Sequence, residues 1–131
     1  MIMLDSDTCI RIIRHHAKTG KRLLEHSDSV IGISSIVFYE VEIGVHLNRI
    51  PKSIQSETRK FLSDVQVFDF SAKAATIAAE IQAKRVNKGR SAGINDAFIA
   101  AHAVALNAVL VTANTKHFEG TPGLQLADWS K

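Results

Sequence analysis

Cysteine is nearly absent from this chain of 131 residues: Cys9 is the only one, so no internal disulfide framework exists and a reducing cytosol is the natural setting. No run of eighteen apolar residues is present, which removes a helical membrane span. A secretory signal is not expected either, because Asp5 and Asp7 interrupt the N-terminal apolar stretch almost at once. Repeats, low-complexity tracts and linkers are missing, so residues 1–131 are read as one domain. Glycine-rich phosphate loops and nucleophile elbows are missing too. Six histidines occur, but His15 and His16 are adjacent and His26, His46, His102 and His117 are scattered without zinc-ligand spacing.

What is present is the material of an ordinary core, with 46% hydrophobic and 22% charged residues. Sixteen Lys and Arg against thirteen Asp and Glu leave a net charge of +3, a mild lean towards polyanions. Lys84, Arg85, Lys88 and Arg90 crowd into "AKRVNKGR". Such a cluster is either a solvated helix end, where cations suit the dipole, or a contact for phosphates.

Short apolar runs alternate with amphipathic stretches. "IML", "VIGI", "VQVFDF" and "AVLVT" read as strands, and "LQLADW" as a short closing segment. Helices are expected over "CIRIIRHH", from about Thr19 to His26, from a Ser34 or Ser35 cap to about Asn48, and from Ser53 to about Val65. A Ser71-capped helix should run to about Val86, and an Asn95-capped one from Asp96 to about Leu106, with "NKGRSAG" as the loop between them. The strands lack polar alternation. The fold expected is therefore α/β, a three-layer α/β/α domain around a central, mostly parallel sheet. Functional side chains in such sheets gather beyond the C-terminal strand ends.

Three carboxylates stand out against that frame. Asp5 ends the first strand. Glu40 interrupts the stripe Ile36, Tyr39, Ile43 and Leu47, which reads as core-facing, whereas Glu42 is rotated roughly 200° away and suits an exposed pair with His46. Asp96 opens a helix whose Ala100 and Ala103 form a smooth face. Two of them have ordinary explanations taken alone: Glu40 as a stripe edge or the partner of a buried arginine, and Asp96 as a favourable dipole contact. If all three converge, like charges raise one another's pKa, and a divalent cation relieves the repulsion. Carboxylates without His or Cys suit a hard ion, Mg²⁺ or Mn²⁺.

"MLDSDTCI" resembles the opening motif of PIN-domain ribonucleases, "ISSIVFYEVEIG" their second motif, "GINDAFIAAHA" their third, and "VLVTANTKHFEGTPGLQLADW" their closing segment. In order and spacing the chain most resembles the VapC toxins of toxin–antitoxin pairs. That resemblance implies a metal-dependent endoribonuclease with Asp5, Glu40 and Asp96 holding Mg²⁺ or Mn²⁺. It also implies a cytoplasmic homodimer, a VapB-type antitoxin partner, and an RNA substrate, with the anticodon stem-loop of initiator tRNA the best match. Supporting positions carried by the motifs are Asp7, where the family usually has an amide and which is expected to cap the helix from Thr8 or to hydrogen-bond behind the site, Thr112, and Asn114, where the family often has a fourth acid. The basic run Lys84, Arg85, Lys88 and Arg90 leads towards Asp96 and, with Lys116, is the candidate RNA contact. Two rival classes are a catalytically silent binding module of the same fold and a phosphoacceptor signalling domain, for which Asp69 is the only candidate acceptor.

Overall fold

Each apolar run becomes a short strand in the computed structural model, which describes residues 1–90 and 93–131. The strands are β1 (Ile2–Leu4), β2 (Ile31–Ser34), β3 (Gln66–Phe68), β4 (Val109–Val111) and β5 (Gln125–Ala127). They form one sheet in the order β3-β2-β1-β4-β5, and every pairing is parallel. Helices α1 (Ser6–Ile13), α2 (Ala17–Glu25), α3 (Ser35–His46), α4 (Gln55–Asp64), α5 (Ala72–Asn87) and α6 (Ile94–Ala105) cover it, giving the three-layer α/β/α arrangement. Among the described residues, no helix is long and apolar enough to cross a membrane.

The central strands are buried on both sides: Met3, Leu4, Ile33, Leu110 and Val111 are all essentially inaccessible. This explains their unbroken apolar composition. Gly32 is required where β2 meets β3, because a Cβ there would lie 2.6 Å from both the Gln66 carbonyl oxygen and the Phe68 ring. Small residues set the spacing of α5 and α6. Ala74 and Ala78 on one helix and Ala97, Ala100, Ala101 and Ala103 on the other are buried.

Several boundaries and faces differ from the sequence expectation. Asp5, not Asp7, caps α1: its carboxylate accepts from the Thr8 amide at 2.8 Å. The last helix starts two residues early, because Gly93 takes a left-handed conformation (φ 80°) at the cap position expected of Asn95. Residues 91 and 92 of the "NKGRSAG" loop lie outside the described residues. The stripe on α3 is also reversed. Val37, Val41 and Val45 face the core, while Tyr39 and Leu47 are 54% and 51% exposed. Two apolar stripes share this helix, and the β-branched one fits the sheet.

The chain moves from β1 outward through β2 to β3, then crosses to β4 on the other side of β1. The point where direction reverses therefore lies between the C-terminal ends of β1 and β4, which is where open parallel sheets form their crevice.

Candidate active site

Asp5 and Thr112 flank that crevice, each one residue beyond its strand. Leu4 pairs with Val111, and the Asp5 amide donates to the Val111 carbonyl at 3.1 Å. The Asp5 carboxyl is pushed above its ordinary pKa, first by burial and also by the nearby Asp7 charge. Hydrogen bonds from the hydroxyls of Thr112 and Thr8 and from the Thr8 amide oppose that rise. Thr112 is fully buried, and its hydroxyl also accepts from the Asn114 amide at 3.0 Å. Asp7 is exposed in the first turn of α1, and Asn114 is exposed at the start of the turn that follows β4.

Glu40 comes from the middle of α3, whose start is fixed by the Ser34 hydroxyl accepting from the Ile36 amide. Its two oxygens are held from both sides. Ser6 Oγ donates to Oε1 at 2.5 Å, and Asn95 Nδ2 lies 3.4 Å from Oε2. Burial raises the Glu40 pKa, the two hydrogen bonds lower it, and the charges of Asp96 and Asp5 raise it again. Glu42 points away into an exposed pair with His46 at 3.1 Å and Arg59 at 3.3 Å, so the distinction between the two glutamates holds.

Asp96 lies in the first turn of α6, and its Oδ2 is 2.9 Å from Nδ1 of His117. Beside it opens a cavity of about 710 Å³. Lys84, Arg85, Lys88, Arg90 and Lys116 line its walls together with His117 and Asp96. The cations at the end of α5 thus reach the acidic site instead of pointing away from it. Two acids, Glu80 and Glu119, share the wall. Arg85 also has a local task, because its Nη1 donates to the Gly93 carbonyl at 3.2 Å and steadies the residue that caps α6.

A hard cation suits this donor set by charge and by chemistry. Burial, with the Asp7 charge on Asp5 and the Asp96 and Asp5 charges on Glu40, disfavours the ionised forms of these two acids, and the donors are all oxygens. Among the described residues, no group of three or more His, Cys, Asp or Glu side chains is placed so as to hold a metal ion by itself. Mg²⁺ does not require such a group, since it keeps several waters and takes one or two direct carboxylates. Three partners of the acids carried no signal in the sequence: Ser6, Asn95 and His117. Polar residues are ordinary at helix starts and in turns, and each of these contacts joins distant segments.

The phosphoacceptor alternative loses its geometry. Asp69 follows β3, an edge strand, and is exposed, whereas an acceptor of that kind ends a central strand.

Comparison with known proteins shows the family. The model of the PIN domain matches residues 2–124. A Rickettsia felis protein, ribonuclease VapC2, is 39% identical over 98% of both chains. A Shigella flexneri protein, tRNA(fMet)-specific endonuclease VapC, is 32% identical over 98% of this chain and 97% of its own. Among solved structures, VapBC2 from Rickettsia felis bound to a promoter DNA fragment contains a chain that superposes with a TM-score of 0.85 at 38% identity, covering 98% of this chain and 99% of that one.

Proposed function

Since the chain belongs to the PIN-domain family and to its VapC branch, we propose that it is an endoribonuclease toxin whose Asp5, Glu40 and Asp96 hold Mg²⁺ or Mn²⁺. The observation that carries this reading is the placement of Asp5 at the sheet's switch point and of Glu40 within reach of the charges of both Asp96 and Asp5, with Asp96 opening onto a cavity lined by cations. Asp5 and Asp96 would be the main residues holding the ion, with Glu40 beside them. Once bound, the cation supplies an acidified water and neutralises charge developing on the scissile phosphate during in-line hydrolysis of the phosphodiester.

The protein's own residues prepare that reaction. Thr112 and Thr8 hold Asp5, and Ser6 and Asn95 hold Glu40. Arg85 fixes Gly93 at the start of the Asp96 helix. Lys84, Lys88, Arg90 and Lys116 grip the RNA backbone in the adjoining cavity, with Arg85 contributing its remaining donors. Asn114 presents an oxygen without charge, which favours one tightly held ion over two.

The substrate we assign is tRNA, with the initiator form preferred, following the activity named for the Shigella flexneri relative, and the anticodon stem-loop is the site that the resemblance of the motifs implies. The partner we assign is a VapB-type antitoxin, following the VapBC complexes of the Rickettsia felis and Salmonella typhimurium relatives. The toxin acts in the cytoplasm as a homodimer, and residues 1–131 act as one domain.

Purified protein should cleave RNA with Mg²⁺ or Mn²⁺ and stop when the ion is chelated. Asp5→Asn, Glu40→Gln and Asp96→Asn should each lose roughly a hundredfold or more. Sequencing the 5′ ends of RNA fragments after brief expression should find them in the anticodon stem-loop of initiator tRNA. Fragments spread over unrelated RNAs would overturn the substrate assignment.

A further inference from the structure

His117 belongs to none of the features that singled out the site, yet its Nδ1 lies 2.9 Å from Oδ2 of Asp96. The contact joins the turn Thr115–His117 to the first turn of α6. Burial does not force it, since the two side chains are 62% and 28% exposed. The histidine is set in place from its own backbone. Its amide donates to the Asn114 carbonyl at 3.1 Å, and the next residue, Phe118, is buried and meets the imidazole edge-on with centroids 6.4 Å apart. On the opposite side Gly93 adjoins the same Asp96 oxygen, where a Cβ would make an ordinary contact at 3.5 Å.

Asp96 needs such a partner. Its charge and that of Glu40 repel, which favours turning the Asp96 carboxylate out of the site. We propose that His117 is a positioning residue for the cation: it engages Oδ2 of Asp96 and leaves Oδ1 for the ion. This rests on the nuclease reading and adds a residue to it. Nδ1 donates in the neutral Nδ1–H tautomer and in the imidazolium alike, so the role does not depend on the ring's charge. Partners that orient metal-binding side chains from outside are worth about 10- to 100-fold in metal affinity.

Titrating Mn²⁺ into the metal-free full chain, followed calorimetrically, tests the assignment without relying on cleavage. His117→Ala should weaken Mn²⁺ binding roughly tenfold or more. His117→Asn should recover most of the affinity, because its Nδ2–H reaches the position of the imidazole Nδ1, while His117→Gln should not. The melting temperatures of the metal-free variants should match the wild type. Equal Mn²⁺ affinity in wild type and His117→Ala would overturn the role of His117 and leave the cation site standing. A lower melting temperature with no rescue by Asn would show that His117 only holds the turn. Failure of the wild type itself to bind Mn²⁺ would remove the cation site, and with it this role.

Discussion

Glu40 meets opposing influences within one side chain. Burial and the charges of Asp96 and Asp5 favour its neutral form, while Ser6 and Asn95 favour the carboxylate. The first group wins, so its folded pKa is raised. A carboxyl with a raised folded pKa contributes stability that is complete below the unfolded value of 4.5 and is lost as pH rises through the folded one. At neutral pH the metal-free protein therefore carries a cost. Glu40→Gln keeps an acceptor for Ser6 and removes the charge, so the metal-free variant should be more stable, with Tm raised by no more than a few degrees because the side chain is only partly buried. Thermal melting in chelator checks this, and a fall of several degrees would make Glu40 a structural residue. Asp5 was legible because a carboxylate ending an apolar run has a desolvation cost that needs a reason, whereas Glu40 was singled out on a stripe that is not the core-facing one. The division between Asp5 and Asp7 was not legible. Both fit a helix cap, and only the register of β1 decides which carboxylate accepts from Thr8.

Among the elements, the strands β1 to β4 were legible as apolar runs because a parallel sheet covered on both faces leaves no polar alternation to confuse them. The α3 helix was not, since Ile36, Tyr39, Ile43 and Leu47 make as good a stripe as Val37, Val41 and Val45. Only packing on the sheet chooses the valines. The start of α6 was missed because a left-handed glycine cap leaves no side-chain signal. His102 ties α6 to the sheet: it is buried, and its Nδ1 lies 2.8 Å from Ser34 Oγ at the end of β2. Phe70 packs edge-on to the ring. Burial lowers the His102 pKa, with Asp69 opposing, so the fold prefers the neutral imidazole. Its contribution is present above the unfolded value of 6.5 and is lost as pH falls below it. Melting temperature should therefore drop between about pH 7.5 and 5.5, and His102→Asn should flatten that slope. An unchanged slope in the variant would assign the acid sensitivity elsewhere.

Across the whole molecule, a small net charge of +3 conceals a strong local field, because the cations of α5 and of the turn after β4 meet at one cavity. Replacing Lys84 and Lys88 by alanine should weaken RNA binding at all sequences. It should also reduce the salt dependence of log K by about 0.7 for each phosphate that the lysines no longer neutralise. An unchanged salt slope would return those lysines to the solvated helix end that composition alone allows. The sheet's switch point, the three carboxylates and the cationic wall make one claim together: cleavage needs the acids and a divalent ion at once. Single-turnover cleavage of tRNA by chelated protein, with Mg²⁺ titrated back into wild type and Asp96→Asn in parallel, tests it most directly. Wild type should be silent in chelator and recover with added Mg²⁺, while Asp96→Asn stays silent at concentrations that restore the wild type. Full cleavage by Asp96→Asn in the presence of chelator would contradict the account.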